Sequence, residues 1–310
     1  MADPNARIRR YGPDALAQAA ATILAGGIVA VATETVYGLA ADATRGEAVA
    51  LVYAAKGRPA FNPLIVHVDS LAAAERLAVF DAGARALAAA FWPGPLTLVL
   101  PLRGEAGVAS LVTAGLATIA VRVPVHRAMR ALLAATGKPL AAPSANRSNA
   151  VSPTRAAHVA ASLGAAAPLI LDDGACAAGL ESTIVAGHTI LRPGPVTAAM
   201  IAGVLGRVSV GVAGAAVTAP GQLATHYAPA KPLRLDACAA APDEWLIGFG
   251  AVTGDDTLSA RGDPVEAAAR LFAALHRAEA ADRARIAVAP VAEDGIGAAI
   301  NDRLRRAAWG

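Results

Sequence analysis

A layered α/β fold is predicted by two observations on this 310-residue chain. Apolar runs of strand length, IVAVAT (28–33), LIVHV (64–68), LTLVLPL (96–102) and TIAVRVP (118–124), alternate with helical segments. These runs are contiguous rather than alternating, which predicts a sheet covered on both faces, with ligand groups at strand ends and on the loops that follow.

Each element follows in order. Asp14 is expected to cap a helix through LAQAAATILA that stops at Gly26-Gly27, before the strand IVAVAT. Residues 47–55 read as a helix, 64–68 as extended, 71–91 as two helical pieces, and 96–102 and 118–124 as strands. A helix at 126–135, a short strand at 139–142, and a helix capped by Thr154 and stopped at Gly164 come next. Strands near 168–171, 182–186 and 189–192, a helix at 197–205 and a strand at 208–212 complete this first unit, assigned to residues 1–211. Residues 212–231 have neither periodicity nor a core face and read as a linker that carries Gln222, Thr225, His226 and Tyr227 between Pro/Gly-rich turns. Residues 232–310 read as a smaller α/β unit, with extended segments 232–237, 244–250 and 285–291 and helices 264–280 and 296–308.

Composition narrows the function. With 55% hydrophobic and 16% charged residues the chain can bury a sizeable core. No apolar run is long enough to span a bilayer and the N-terminus lacks a secretory pattern, so a cytoplasmic protein with no membrane partner is expected. Cys176 and Cys238 are isolated, which points away from a disulfide framework or zinc site and towards two buried thiols. A net charge of +3 is mild, but residues 1–209 hold 17 Lys+Arg against 12 Asp+Glu, whereas residues 210–310 hold 10 against 12. An anionic ligand is therefore expected in the first unit.

Lys56, Arg58, Asn62 and His67 gather two cations and neutral donors within a dozen residues, which suits a phosphate-bearing ligand. Pro143-Ser144-Ala145-Asn146 follows an apolar run as a polar loop. Taken alone, the first segment reads more readily as a solvated basic turn and the second as an ordinary loop. No Walker-type GxxxxGK[ST], GxSxG elbow or HExxH helix is present. Gly248, Gly250 and Gly254 imitate a dinucleotide fingerprint, but the third glycine is one residue late and no helix follows directly.

The ordered motifs TETVYGL (33–39), KGRPAFNPL (56–64), WPGPLT (92–97), RVP (122–124), APSAN (142–146), ESTIV (181–185), LRPG (191–194) and HYAP (226–229) resemble those of the YrdC-like threonylcarbamoyl-AMP synthases. With the ending AAINDRLRRAA, the chain is similar to the long form, which carries a C-terminal extension. The resemblance implies an open twisted α/β domain with helices around a basic concave cavity, plus a smaller, Rossmann-like domain. It implies synthesis of L-threonylcarbamoyladenylate from ATP, L-threonine and bicarbonate with release of pyrophosphate. The product passes to a tRNA threonylcarbamoyl transferase that modifies an adenosine beside the anticodon, and weak contact with tRNA is also expected.

By that resemblance, Lys56, Arg58 and Arg192 would neutralise charge at the α-phosphate, Lys56 and Arg58 as the catalytic residues, together with Mg²⁺ that arrives with ATP, no protein side chain being expected to hold the metal. Arg58, Asn62, Thr118, Ser144, Asn146, Ser152, Arg192 and Tyr227 would bind ATP, and Thr35, His67, Arg122, Ala142 and Ser182 would bind threonine. A bidentate Arg122 suits a carboxylate, and Ala142 leaves room for a side chain. Tyr227 would close the cavity and exclude water from a labile carbamate.

Plainer readings stand beside these. His67 in an apolar strand also reads as a core histidine, Arg122 as an ion-pair partner, and Glu34 as the mate of a nearby cation. Trp92 reads as core. Arg7, Arg9 and Arg10, like Arg303, Arg305 and Arg306, read as solvated faces, and His126, His158, His188 and His276 are given no role. Two other functions fit the fold: a double-stranded RNA-binding module without adenylate-forming activity, and a carbamoyl-transfer module akin to hydrogenase maturation proteins, whose zinc-binding Cys motifs are missing from this sequence.

Overall fold

A computed structural model describes residues 7–58, 62–211 and 227–308. Among these, an eleven-stranded mixed sheet runs, in spatial order, Ile8–Arg10, Leu169–Asp172, Val29–Val31, Gly38–Asp42, Leu140–Ala141, Ile65–His67, Thr118–Arg122, Leu96–Pro101, Thr183–Ala186, Thr189–Arg192 and Ser209–Val210. A second sheet of four parallel strands, Leu233–Arg234, Arg285–Val288, Glu244–Gly248 and Asp256–Thr257, packs with helices Pro264–Ala280 and Gly297–Ala307. These are the large twisted α/β unit and the smaller α/β unit that the sequence implies. The linker residues Gln222, Thr225 and His226 lie outside the described residues.

Capping explains several helix starts. The side chains of Ser70, Asp81 and Thr197 accept hydrogen bonds from the backbone N–H groups of Ala73, Ala84 and Met200. Asp263 accepts from Val265 and Glu266, with Pro264 at the first helical position. Two expected caps are displaced. The first helix, Pro13–Leu24, starts ahead of Asp14, because Pro13 fills the first position and leaves Asp14 within the first turn, where it still favours the helix dipole. Thr154 lies one residue too early to cap Ala156–Leu163, and its hydroxyl faces the His158 ring instead.

The sequence reading also passes over three short strands and a helix: Ile8–Arg10, Gly38–Asp42, Asp256–Thr257 and Ser110–Thr113. Gly38–Asp42 consists of GLAAD, small residues of weak strand propensity, and is extended because it pairs between Val29–Val31 and Leu140–Ala141.

Coverage of the large sheet decides where a ligand can go. Ala30, Leu39, Val66, Leu98 and Val121 pack on one face under helices Gly46–Lys56, Leu71–Leu77, Ala82–Phe91 and Ala156–Leu163. On the other face, Val29, Val31, Ala40 and Leu140 pack under helices Pro13–Leu24 and Arg127–Thr136. Further along this second face the cluster Ile65, Val99, Ala120 and Ile184 draws only on strand residues. The sheet is therefore covered on both faces at one end alone, which corrects the expectation of full coverage. Period-two alternation then sends His67, Arg122, Ser182 and Thr118 to the uncovered stretch, because they share a face with Ile65, Ala120 and Ile184.

The cysteines differ from expectation as well. Cys176 is buried, and burial pushes its thiol up to about 12, but Cys238 is exposed. Trp92 packs edge-on against Phe80 while its indole N–H donates to the Leu96 carbonyl at 2.7 Å.

Candidate active site

A cavity with about 540 Å³ of space, part of it open to solvent, lies on the uncovered stretch of the sheet. Its walls include Thr33, Thr35, Arg58, His67, Arg122, Ala142, Ser144, Glu181, Ser182, Arg192 and Tyr227. Three guanidinium groups against one carboxylate make it basic. All five residues that the resemblance gives to threonine are here, together with Arg58, Ser144, Arg192 and Tyr227 from the nucleotide set.

Strand ends and turns build the wall around His67 and Arg122. Parallel register sets His67 beside Arg122, and both are buried. Arg122 donates to Glu34 Oε1 at 2.5 Å, to Thr35 Oγ1 at 2.9 Å and to the Gly94 carbonyl at 3.2 Å. Burial would raise the Glu34 pKa, but the Arg122 charge and hydrogen bond outweigh it and hold the carboxyl below its ordinary value. Burial, reinforced by Arg122, lowers His67 to about 3, so its imidazole is neutral, and Nδ1 has no hydrogen-bond partner among the described residues. Thr33 Oγ1 donates to the Val36 carbonyl at 2.6 Å and sits 2.9 Å from Thr35 Oγ1, which closes the turn carrying Thr35. The ion-pair readings of Arg122 and Glu34 thus hold, and Arg122 also has a place in the cavity wall.

Two further arginines, Arg192 and Arg58, complete the wall. Arg192 is clamped by Ser182, through its carbonyl at 2.9 Å and its hydroxyl at 3.2 Å, and that hydroxyl lies 2.7 Å from Thr97 Oγ1. The LRPG turn can lie this close because Gly194 has no side chain: a Cβ there would stand 2.5 Å from the Thr183 backbone nitrogen and 2.8 Å from the Glu181 carbonyl oxygen. Arg58 donates to the carbonyls of Asn62 at 3.3 Å and Pro63 at 3.1 Å, and burial lowers its pKa to about 10, which leaves it charged at neutral pH.

Five of the expected residues do not line the cavity. Lys56, at the end of Gly46–Lys56, is buried, and its Nζ donates to the carbonyls of Ser144 and Asn146, each at 2.6 Å. It props the polar loop from beneath, which corrects the expectation that it faces the ligand. Asn146 completes the same brace, donating from Nδ2 to the Ala150 carbonyl at 2.7 Å. Asn62 is buried with Oδ1 unpartnered among the described residues, and Ser152 donates to Glu181. Thr118 shares the face of Arg122 but stands at the other end of the strand.

Two functional-site residues escaped the sequence reading. Glu181, first residue of ESTIV, carries no role in the sequence reading but lines the cavity. Arg303 was read as solvated, yet it is wholly buried and pairs with Glu181 at 2.9 Å. The signal for Arg303 was legible: it lies on the apolar stripe Ala299, Ile300, Leu304 and Ala307 of its helix. His276 does not line the cavity; its Nε2 lies 3.1 Å from the carbonyl of Ser152, which is also outside the wall.

Comparison with known proteins gives the same picture. A family model, Sua5/YciO/YrdC, described as telomere recombination, matches residues 21–194, and one for the threonylcarbamoyl-AMP synthase C-terminal domain matches residues 196–309. Threonylcarbamoyl-AMP synthase of Bacillus subtilis is 37% identical over 325 aligned positions, covering 95% of this chain and 93% of its own; that of Pyrococcus abyssi is 39% identical, covering 93% and 92%. The crystal structure of P. abyssi Sua5 complexed with L-threonine superposes with a TM-score of 0.89 at 35% identity, covering 97% of both chains. The chain therefore belongs to the threonylcarbamoyl-AMP synthase family, in the form that carries the C-terminal domain.

Proposed function

We infer that this chain is an L-threonylcarbamoyladenylate synthase, joining ATP, L-threonine and bicarbonate with release of pyrophosphate. The observation that carries this reading is convergence: residues from separate segments between positions 35 and 227, given by resemblance to two different substrates, line one basic cavity. High-coverage relatives bearing the synthase name favour it over an RNA-binding module.

On this reading Arg122, Thr35, His67 and Ser182 receive threonine, and Ala142 leaves space for its side chain. A neutral His67 can hydrogen-bond a hydroxyl without repelling the ammonium group. A valine in the same place would leave the polar groups of Thr35 and His67 unpaired, which disfavours it strongly. Arg58 and Arg192 face the phosphates, Ser144 helps to seat the nucleotide, and Tyr227 covers it. Lys56 acts through the loop it braces. Pyrophosphate displacement at the α-phosphate needs positioning and charge neutralisation rather than a covalent nucleophile. We assign Mg²⁺ to the triphosphate, whose oxygens are the hard donors it prefers; Glu181, the cavity's carboxylate, is already engaged by Ser152 and Arg303. The product would pass, in the cytoplasm, to a transferase acting on tRNA.

The test is pyrophosphate release from ATP by the purified chain, expected only when threonine and bicarbonate are both present. Equal release without threonine overturns the reading.

A further inference from the structure

Arg303 lies in the last helix of the C-terminal domain, yet its contacts belong to the cavity of the first. It is the largest wholly buried side chain among the described residues. Removing a guanidinium from water is expensive unless carboxylates and carbonyls replace the lost hydration. Here Nε donates to Glu181 Oε2 at 2.9 Å, and Nη1 donates to the Pro193 carbonyl at 3.0 Å and to Asp302 Oδ2 at 2.7 Å. The guanidinium carbon stands 5.2 Å from the centroid of the Tyr227 ring.

Those partners share a location. Glu181 and Tyr227 line the cavity, and Pro193 follows Arg192, which also lines it, whereas Arg303 does not. The second oxygen of Glu181 accepts from the Ser152 hydroxyl, so both oxygens are occupied and the carboxylate is locked in one orientation. Without a counter-charge, this carboxylate would face any anion held by Arg192.

We propose that Arg303 is a positioning residue through which the C-terminal domain completes the phosphate end of the cavity: it neutralises Glu181 and backs the Tyr227 ring. This rests on the synthase reading and adds to it a role for the C-terminal domain in nucleotide affinity. The domain contributes one buried cation, and ATP rather than threonine is the substrate that senses it.

The experiment uses the full chain and compares wild type with Arg303→Met, Arg303→Lys and the double variant Arg303→Met/Glu181→Gln. The KM values for ATP and threonine and kcat are measured by pyrophosphate release, per folded molecule from urea titration. Arg303→Met should raise the ATP KM about tenfold or more and leave the threonine KM within about twofold, a split that general loosening of the fold does not produce. Arg303→Lys, which keeps the charge but not the planar fork, should fall between. The double variant should recover part of the lost ATP affinity, since no unpaired carboxylate remains. If Arg303→Met does not fold, Arg303→Lys and the double variant decide: an ATP KM above wild type in both, with the threonine KM within about twofold, supports the proposal, and a wild-type ATP KM in both overturns it. An unchanged ATP KM in Arg303→Met, or both KM values rising together with no recovery in the double variant, overturns the proposal. Wild-type release that ignores threonine overturns the synthase reading itself, and the proposal with it.

Discussion

Arg122 Nη2 stands 2.5 Å from Glu34 Oε1, with both side chains buried. The arginine that we propose meets a substrate carboxylate is thus already paired with one of the protein's own. Arg122→Met should strand the Glu34 charge and destabilise the fold by about 3–5 kcal/mol, whereas Glu34→Gln, which strands the guanidinium but keeps an amide oxygen to accept from it, should cost less. Urea titration of both variants checks this, and a loss below about 1 kcal/mol for Arg122→Met would contradict it.

Lys56 should behave as a brace. Burial, with the neighbouring Arg58 charge, pushes its ammonium well below the usual lysine range, while two carbonyls accept from it at 2.6 Å. Lys56→Met removes their donor, and leaving a buried acceptor unsatisfied costs about 1–3 kcal/mol. A lower urea midpoint should therefore accompany the loss of activity, and Lys56→Arg should not restore it, because the larger planar head does not fit between two loop carbonyls. Wild-type stability in Lys56→Met would show the brace to be dispensable.

Mild acid should weaken the fold. Burial lowers His67 and His158 to about 3 and also lowers His276, whose ring stacks on His158 at 3.9 Å across the two domains. Around this pair, Arg155 and Arg277 further disfavour a proton on His158, while Glu279 only partly favours one on His276. A histidine with a depressed folded pKa contributes its full stability above the unfolded value near 6.5, and loses it as pH falls towards 3, because only the unfolded chain takes up the proton. For His67 alone the loss at pH 5.5 is roughly 1.4 kcal/mol. Urea midpoints at pH 7.5 and 5.5 should therefore differ, and the difference should shrink in His158→Gln. Equal midpoints would contradict the argument.

Cavity width at Ala142 should set the room for the amino acid. A Cβ on Gly38 would already lie 3.2 Å from that of Ala142, so the wall is tight on this side. Ala142→Leu should push into the cavity and raise the threonine KM about tenfold or more, with little change in the ATP KM. Steady-state kinetics with each substrate varied in turn decides it, and an unchanged threonine KM would remove Ala142 from the wall.

By itself the sequence determined the alternation of helices and strands and the two α/β units, because hydrophobic period, Gly/Pro punctuation and helix caps act over a few residues, and its resemblance to a family supplied the motif set, part of which reaches the cavity. The helix Pro264–Ala280 was legible to its ends for this reason. Only the tertiary structure decided which face of the sheet stays open, that Gly38–Asp42 becomes a strand, that Lys56 turns under a loop, and that Arg303 enters the first domain. Each depends on partners more than 80 residues away in the chain, such as Ser144 for Lys56 and Glu181 for Arg303, and a buried charge is placed by those distant groups, since no local propensity can offset its lost hydration.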